Sequence, residues 1–274
     1  QNAEKTLAIA LESLSNIYDE LIIIDGGSND STCDIALSYG AKVIDSKWTG
    51  NHSQQRNVYL QHVQTEWVFV LDSDEFINTQ TLDFIAHIKS AKKDFNTDNF
   101  WFPRKWITPL NLTNFIVSKP HYPDFQRRLF RHNNNILYSG QIHESIHNLI
   151  DKGHCLSNLS IYHLDLFINS EEKRKEKVRK YSRLDPRDGG RHYYLPEIKN
   201  LYFQEWSFEE ISASVGKLLD NLVNSGIESS QLNYIIPPEI KNDEFYYAIQ
   251  QLVKNEKIQT ILEIGSSSGC GSTE

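Results

Sequence analysis

The sequence has no methionine, only three cysteines, and no long hydrophobic run. A membrane-crossing helix needs about 20 consecutive apolar residues, whereas the longest apolar runs here, 21–24 and 67–71, are strand-sized. No transmembrane segment is therefore expected. Cys33, Cys155 and Cys270 are odd in number, far apart and without metal-ligand spacing, which argues against a disulfide framework and fits a reducing, cytoplasmic setting. Residues 1–10 form a mixed, helix-like stretch rather than a signal peptide. The absence of methionine from 274 residues means either that the chain avoids it or that methionines have dropped out, in which case some spacings are longer than they read. An excess of positive charge is lacking too. The formal net charge of -8 excludes a broad nucleic-acid footprint.

What is present is globular in character, with 39% hydrophobic and 23% charged residues. Leu7, Ala10, Leu11 and Leu14 recur at helical spacing within residues 5–15. The run at 21–24 then closes on Asp25-Gly26-Gly27-Ser28, as a strand buried on both faces of a parallel sheet would. A helix to Tyr39, stopped by Gly40, a strand at 41–45, a helix at 54–64 and a strand at 67–71 follow, and a further helix is expected at 81–92. This alternation predicts an open α/β sheet whose ligands bind beyond the carboxyl ends of its strands, where Asp25 and the pair Asp72 and Asp74 fall. After Asn99 the pattern changes to strands at 100–107, 124–131 and 160–165, with a charged helix at 170–182 and further helical pattern over 191–224.

Asp72-Ser73-Asp74, if extended, places two carboxylates on one side with Ser73 facing away. Hard divalent cations such as magnesium or manganese prefer such oxygens and usually keep a substrate phosphate as well. The plain alternative is a pair of acidic residues capping a helix or binding water. Asp25 could accept hydrogen bonds from a base or a ribose, or simply close a turn. The glycines beside it permit a close backbone approach to a ligand.

Taken together, these segments resemble the family 2 glycosyltransferases of the GT-A fold. The matching stretches are DELIIIDGGSNDST (19–32), QQRN (54–57), WVFVLDSDE (67–75), PDFQRRLFR (123–131) and GQIHE (140–144). The resemblance implies a GT-A type open mixed sheet with flanking helices. It also implies that Asp25 contacts the uracil or ribose of a uridine-diphosphate sugar, while Asp72 and Asp74 handle a divalent metal and the diphosphate. One departure stands out, for the family opens with a strand bearing the first nucleotide contacts and none precedes Gln1.

Family members of this kind invert the anomeric carbon by direct displacement, which requires a base. Glu144, beside His143, matches the family's His-Glu segment and is the expected base, with a rim ion pair as the alternative. Arg128 and Arg131, permanently charged forks, are expected to hold the diphosphate, and strand alternation groups Arg128 with Gln126. Arg56 is either a phosphate contact or a surface charge. His163 is either a third metal ligand or structural. Trp101, Trp106 and Tyr122 either stack on a sugar or pack a core.

At the other end, TILEIGSSSGCGS (260–272) resembles the first motif of class I S-adenosylmethionine-dependent methyltransferases, with Glu263, Gly265, Gly269 and Gly271 shaping the cofactor turn. The expected organisation is a glycosyltransferase domain over 1–183, a helical extension and linker over 184–241, and an incomplete methyltransferase-like start over 242–274. The leading reading is an inverting, metal-dependent, hexosyltransferase-like enzyme acting on a glycan, lipid or peptide acceptor. A methyltransferase fragment and a non-catalytic sugar-nucleotide-binding module are the alternatives. The basic helix around 171–180 adds a peripheral membrane contact as an option, although its interleaved glutamates favour a solvated face.

Overall fold

The computed structural model describes residues 1–15, 17–91, 95–184 and 190–225. The expected linker from 226 and the methyltransferase-like motif at 260–272 lie outside the described residues. The first part alternates as α1 (Leu7–Ser13), β1 (Ile22–Asp25), α2 (Thr32–Ser38), β2 (Lys42–Asp45), α3 (His52–Leu60) and β3 (Trp67–Phe69). Then come β4 (Glu75–Ile77), α4 (Thr79–Ser90), β5 (Asn99–Trp106), β6 (Asn114–Ile116), β7 (Asp124–Arg131), the hairpin β8 (Leu137–Ser139) and β9 (Ser145–His147), β10 (His154–Cys155) and β11 (Ile161–His163). The described chain closes with α5 (Asp165–Ile168), α6 (Glu171–Leu184), α7 (Arg191–Tyr194), β12 (Phe203–Glu205) and α8 (Ala213–Asn224).

Local chemistry sets the helix starts. The side chains of Asn51, Asn78 and Ser212 accept hydrogen bonds from the backbone N–H groups of Gln54, Thr81 and Val215, which opens α3, α4 and α8. Gly40, at φ +75°, ends the α2 segment in a conformation that glycine adopts without strain.

The fold class is mixed α/β, an open mixed sheet with flanking helices. β1 and β2 pair in parallel, Ile22 opposite Lys42 through Asp25 opposite Asp45, with α2 as the crossover. The third strand departs from the parallel arrangement read in the sequence. β3 is antiparallel to β7, Trp67 opposite Arg131, and heads a six-stranded sheet ordered β3-β7-β5-β11-β4 with β10 on β5. Between β1 and β3 lies a cavity of about 710 Å³, walled by Ile22 to Ile24 on one side and Val68 to Val70 on the other. Ile22, Ile23 and Ile24 are consequently half-buried rather than sealed on both faces.

Residues 190–225 share the main core. β12 pairs with β6, and Trp206 donates its indole N–H to the Leu112 carbonyl at 2.6 Å. Phe76 stacks on Tyr162 at 4.9 Å, with Trp206 against both rings and Val215, Leu219 and Leu222 of α8 in the same cluster. Burial of each such side chain contributes about 1.5–3 kcal/mol, so this segment acts as a second wall of the domain. That wall fixes β4 and β11, the strands that frame the site.

Candidate active site

The sequence predicted an extended Asp72-Ser73-Asp74, but the chain turns there. The Glu75 N–H donates to the Asp72 carbonyl at 2.9 Å, and the Asp72 N–H donates to Glu75 Oε2 at 3.0 Å. The chain reverses between Asp72 and Glu75 in a turn closed from both ends. The two aspartates meet different partners.

Asp72 belongs to an arginine network. Its Oδ1 accepts from Arg56 Nη2 at 2.9 Å, and its Oδ2 accepts from Arg128 Nη2 at 2.7 Å. Arg128 also meets Glu75 Oε1 at 2.6 Å, and Arg104 joins Glu75 to Asp124 at 3.4 and 2.8 Å. Burial alone would raise the Asp72 carboxyl, but Arg128 and then Arg56 outweigh it and hold the group well below the usual carboxylate range. The Arg128 side chain is 4% exposed and Glu75 0%. Arg128 therefore lies under Asp72 and positions it, rather than reaching out to a diphosphate as the sequence suggested. Gln126 Nε2 donates to Asp124 Oδ1 at 2.7 Å, but the register between β5 and β7 shifts at Arg128, so the simple alternation that groups Arg128 with Gln126 is interrupted there.

Arg56 joins this network to Glu144, its Nε donating to Glu144 Oε1 at 2.5 Å. The rest of the QQRN segment explains how a residue 88 positions away comes so close. Asn57 accepts from the Tyr138 N–H at 2.7 Å and donates to the Tyr138 carbonyl at 2.9 Å, which docks the β8–β9 hairpin onto α3. Gly140, at φ +101°, and His143, at φ +54°, then bend the hairpin tip and bring Glu144 inward. Gln55 donates to the Ser46 carbonyl at 3.0 Å and ties α3 to the end of β2.

Asp74 has another set of partners. Its Oδ2 lies 3.3 Å from His163 Nε2, and its carbonyl accepts from the Leu164 N–H at 2.9 Å. One ligand atom each of Asp74, His163 and Asp165 lies within 4.8 Å of the others. Burial would raise the Asp74 carboxyl, yet His163 and then Lys177 beside it hold it down at about 2. Among the described residues, the buried His163 Nδ1 and Asp165 Oδ1 have no hydrogen-bond partner. Two carboxylates and an imidazole with unsatisfied buried atoms fit a divalent metal. Trp106 packs against His163 at 4.3 Å and donates to Asp124 at 2.8 Å, so it is a wall of the site.

Other expected contacts fall differently. Asp25 closes its own turn, its Oδ2 accepting from the N–H groups of Gly27 and Ser28 at 2.9 and 2.8 Å and its Oδ1 from the Ser28 hydroxyl at 2.5 Å. It still borders the cavity between β1 and β3, whose rim also includes Trp48, His52, Arg56 and Asp72. Arg131 is not brought in. It sits opposite Trp67 at the start of β3, pairs with Glu66 at 3.2 Å and lies over the Trp67 ring. Five residues of extended chain, roughly 16 Å, separate that end from Asp72. Trp101 is covered by Arg127 at 4.3 Å, and Tyr122 packs on Phe115. Sequence reasoning missed Asp165, Glu75, Arg104 and Lys177, and only the motif residue Glu75 carried any sequence signal.

The α/β framework thus carries a carboxylate-imidazole group that could hold a metal and an arginine-held carboxylate two residues from one of its members. The profile of Glycosyl transferase family 2 matches residues 1–147, and the chain belongs to that family. It is similar to the SPbeta prophage-derived glycosyltransferase SunS of Bacillus subtilis (strain 168), 26% identical over 186 residues, 65% of this chain and 41% of that protein. An uncharacterized glycosyltransferase of Rickettsia typhi is 36% identical over 88 residues, 32% of this chain and 30% of the relative. The chain thus spans well under half the length of either. A solved structure, S. aureus TarS 1–349, is 18% identical with a TM-score of 0.39, covering 88% of this chain and 74% of that one.

Proposed function

We propose that this protein is an inverting glycosyltransferase that moves a sugar from a nucleotide-diphosphate sugar, a uridine one, to a hydroxyl or similar group on a glycan, lipid or peptide. The observation that carries this reading is the convergence of Asp74, His163 and Asp165 beside the Arg56-linked pair of Asp72 and Glu144. Family membership over residues 1–147 supports the nucleotide-sugar donor. The free thiols of Cys33 and Cys155 support a reducing, cytoplasmic setting. No helix among the described residues is long and apolar enough to cross a membrane.

Asp74 and His163, with Asp165, would hold the divalent metal, and manganese suits two carboxylates and one imidazole. When bound, the metal supplies Lewis-acid stabilisation of the leaving diphosphate. The chain's own residues account for the rest. Arg56 lies on the cavity rim and offers a fixed positive charge to a phosphate. Asp25, on the same rim, orients the loop that faces the base and ribose. Arg56 also fixes one oxygen of Glu144, which leaves Oε2 to take the acceptor proton as the nucleophile attacks the anomeric carbon.

The test is hydrolysis of a panel of uridine-diphosphate sugars, in which water replaces the acceptor. Wild type hydrolyses at least one of them, and Glu144→Gln slows that reaction by about 10²–10⁴-fold while donor affinity is kept. Equal rates would assign the base elsewhere. Binding without turnover on every donor would favour a non-catalytic sugar-nucleotide-binding module.

A further inference from the structure

β11 ends at His163, and the chain enters α5 at Asp165 after a single residue, Leu164, whose N–H is tied to the Asp74 carbonyl at 2.9 Å. This short connection places His163 and Asp165 on the side occupied by Asp74. The Asp165 side chain is 2% exposed, with Oδ1 unpartnered among the described residues and Oδ2 in a close ion pair with Lys177 Nζ. Lys177 comes from α6, a helix read from its charge as solvated, but the lysine turns inward. Its Nζ also lies 4.2 Å from the centre of the Tyr194 ring, and Arg174, one turn earlier, anchors the helix through the Asn169 and Tyr194 carbonyls.

Charge accounting explains the lysine. Two carboxylates in this recess need a compensating cation, and without a metal Lys177 supplies one positive charge. A divalent ion brings two. Metal and ammonium sharing one carboxylate would repel each other strongly in so buried a place. We propose that Asp165 is a metal ligand alongside Asp74 and His163, and that Lys177 is a built-in counter-cation which a divalent metal must displace from Asp165. Uptake of the metal and release of the ammonium are then one event. The four-carbon stem of lysine allows that movement, and the released ammonium becomes available to an anion arriving with the metal. The idea rests on Asp74 and His163 being metal ligands but not on the identity of the donor.

The experiment measures Mn²⁺ alone binding to the full chain, by the loss of the free-ion electron paramagnetic resonance signal. Lys177→Met is expected to tighten Mn²⁺ binding by about tenfold or more, and Asp165→Asn to weaken it by a similar factor. Lys177→Arg, which keeps the charge, should stay within about threefold of wild type. Circular dichroism melts establish folding, and Lys177→Gln replaces the methionine variant should that one not fold. An unchanged or weaker affinity in the lysine-to-neutral variant overturns the proposal. So does an unchanged affinity in Asp165→Asn, or the absence of Mn²⁺ binding throughout. Titration with uridine diphosphate separates this from the functional reading. Mn²⁺ affinities that shift as expected without any nucleotide binding would sink the donor assignment alone. Nucleotide binding with Mn²⁺ affinities insensitive to Lys177 would sink the counter-cation alone.

Discussion

Asp72 and Asp74 are two residues apart, and both carboxyls are held down by neighbouring cations. The cations differ in kind: arginines at Asp72, a histidine and a lysine at Asp74. On the Asp72 side both carboxylate oxygens are taken by arginines, and the charges alternate from Glu144 through Arg56, Asp72, Arg128, Glu75 and Arg104 to Asp124. On the Asp74 side there are two carboxylates, one imidazole, one lysine and two buried atoms without partners among the described residues. Arg128 Nε on the Asp72 side is also unpartnered among the described residues. The contrast thus lies in the groups themselves: permanently charged arginines hold Asp72, whereas the Asp74 group offers the carboxylate and imidazole donors that a divalent metal takes. A single β-turn at Asp72 to Glu75 therefore divides a short acidic motif into an arginine-held half and a half beside His163 and Asp165.

Breaking the arginine-held half should have the larger effect on stability. Arg128→Met leaves Glu75 and Asp72 without their shared cation, and we expect a loss of about 3–5 kcal/mol. For a chain of this size that lowers the melting temperature by roughly 6–20 °C, read by calorimetry. A cost under about 1 kcal/mol would place the pair in the class of weak surface bridges and remove the contrast. Acid sharpens the comparison with a smaller effect. Burial would raise the Asp124 carboxyl, but Arg104, then Trp106 and Gln126, hold it below its usual value. A depressed folded-state value stabilises in full above the unfolded value of about 3.9 and is lost as the pH falls below it. Asp124→Asn should thus melt below wild type at pH 7, with the gap closing as the pH drops under about 4. A gap that persists unchanged in acid would show that Asp124 matters for packing alone. The smallest effect is expected at Arg131, at the far end of β3. Arg131→Gln should change uridine-diphosphate affinity less than about twofold and stability by under about 0.5 kcal/mol. A larger loss of affinity would bring the distant end of the strand back into the site.

The legible parts of this molecule were those with local signatures. Apolar runs ending in Asp25 and Asp72 marked two residues that border the cavity, and QQRN and GQIHE singled out Arg56 and Glu144, which meet at 2.5 Å. His163, for which the sequence leaves a metal ligand and a structural histidine both open, lies 3.3 Å from Asp74. What escaped depends on chain reversal and long-range pairing. Asp-Ser-Asp-Glu suits an extended segment and a turn equally well, and only the Glu75 hydrogen bonds decide between them. β3 pairs with β7, and no local pattern announces an antiparallel partner so far along the chain. Arg128 lies where the register between β5 and β7 shifts, an irregularity that no local pattern announces either. Lys177 looked like one more charge on a polar helix because its partner, Asp165, belongs to another element.

The most direct test of this account is calorimetric binding of uridine diphosphate, with and without Mn²⁺, to wild type and Asp74→Asn. The account predicts that Mn²⁺ tightens wild-type binding by about tenfold or more and that this gain disappears in the variant. Binding that ignores Mn²⁺ in wild type, or a gain that survives in Asp74→Asn, would contradict it.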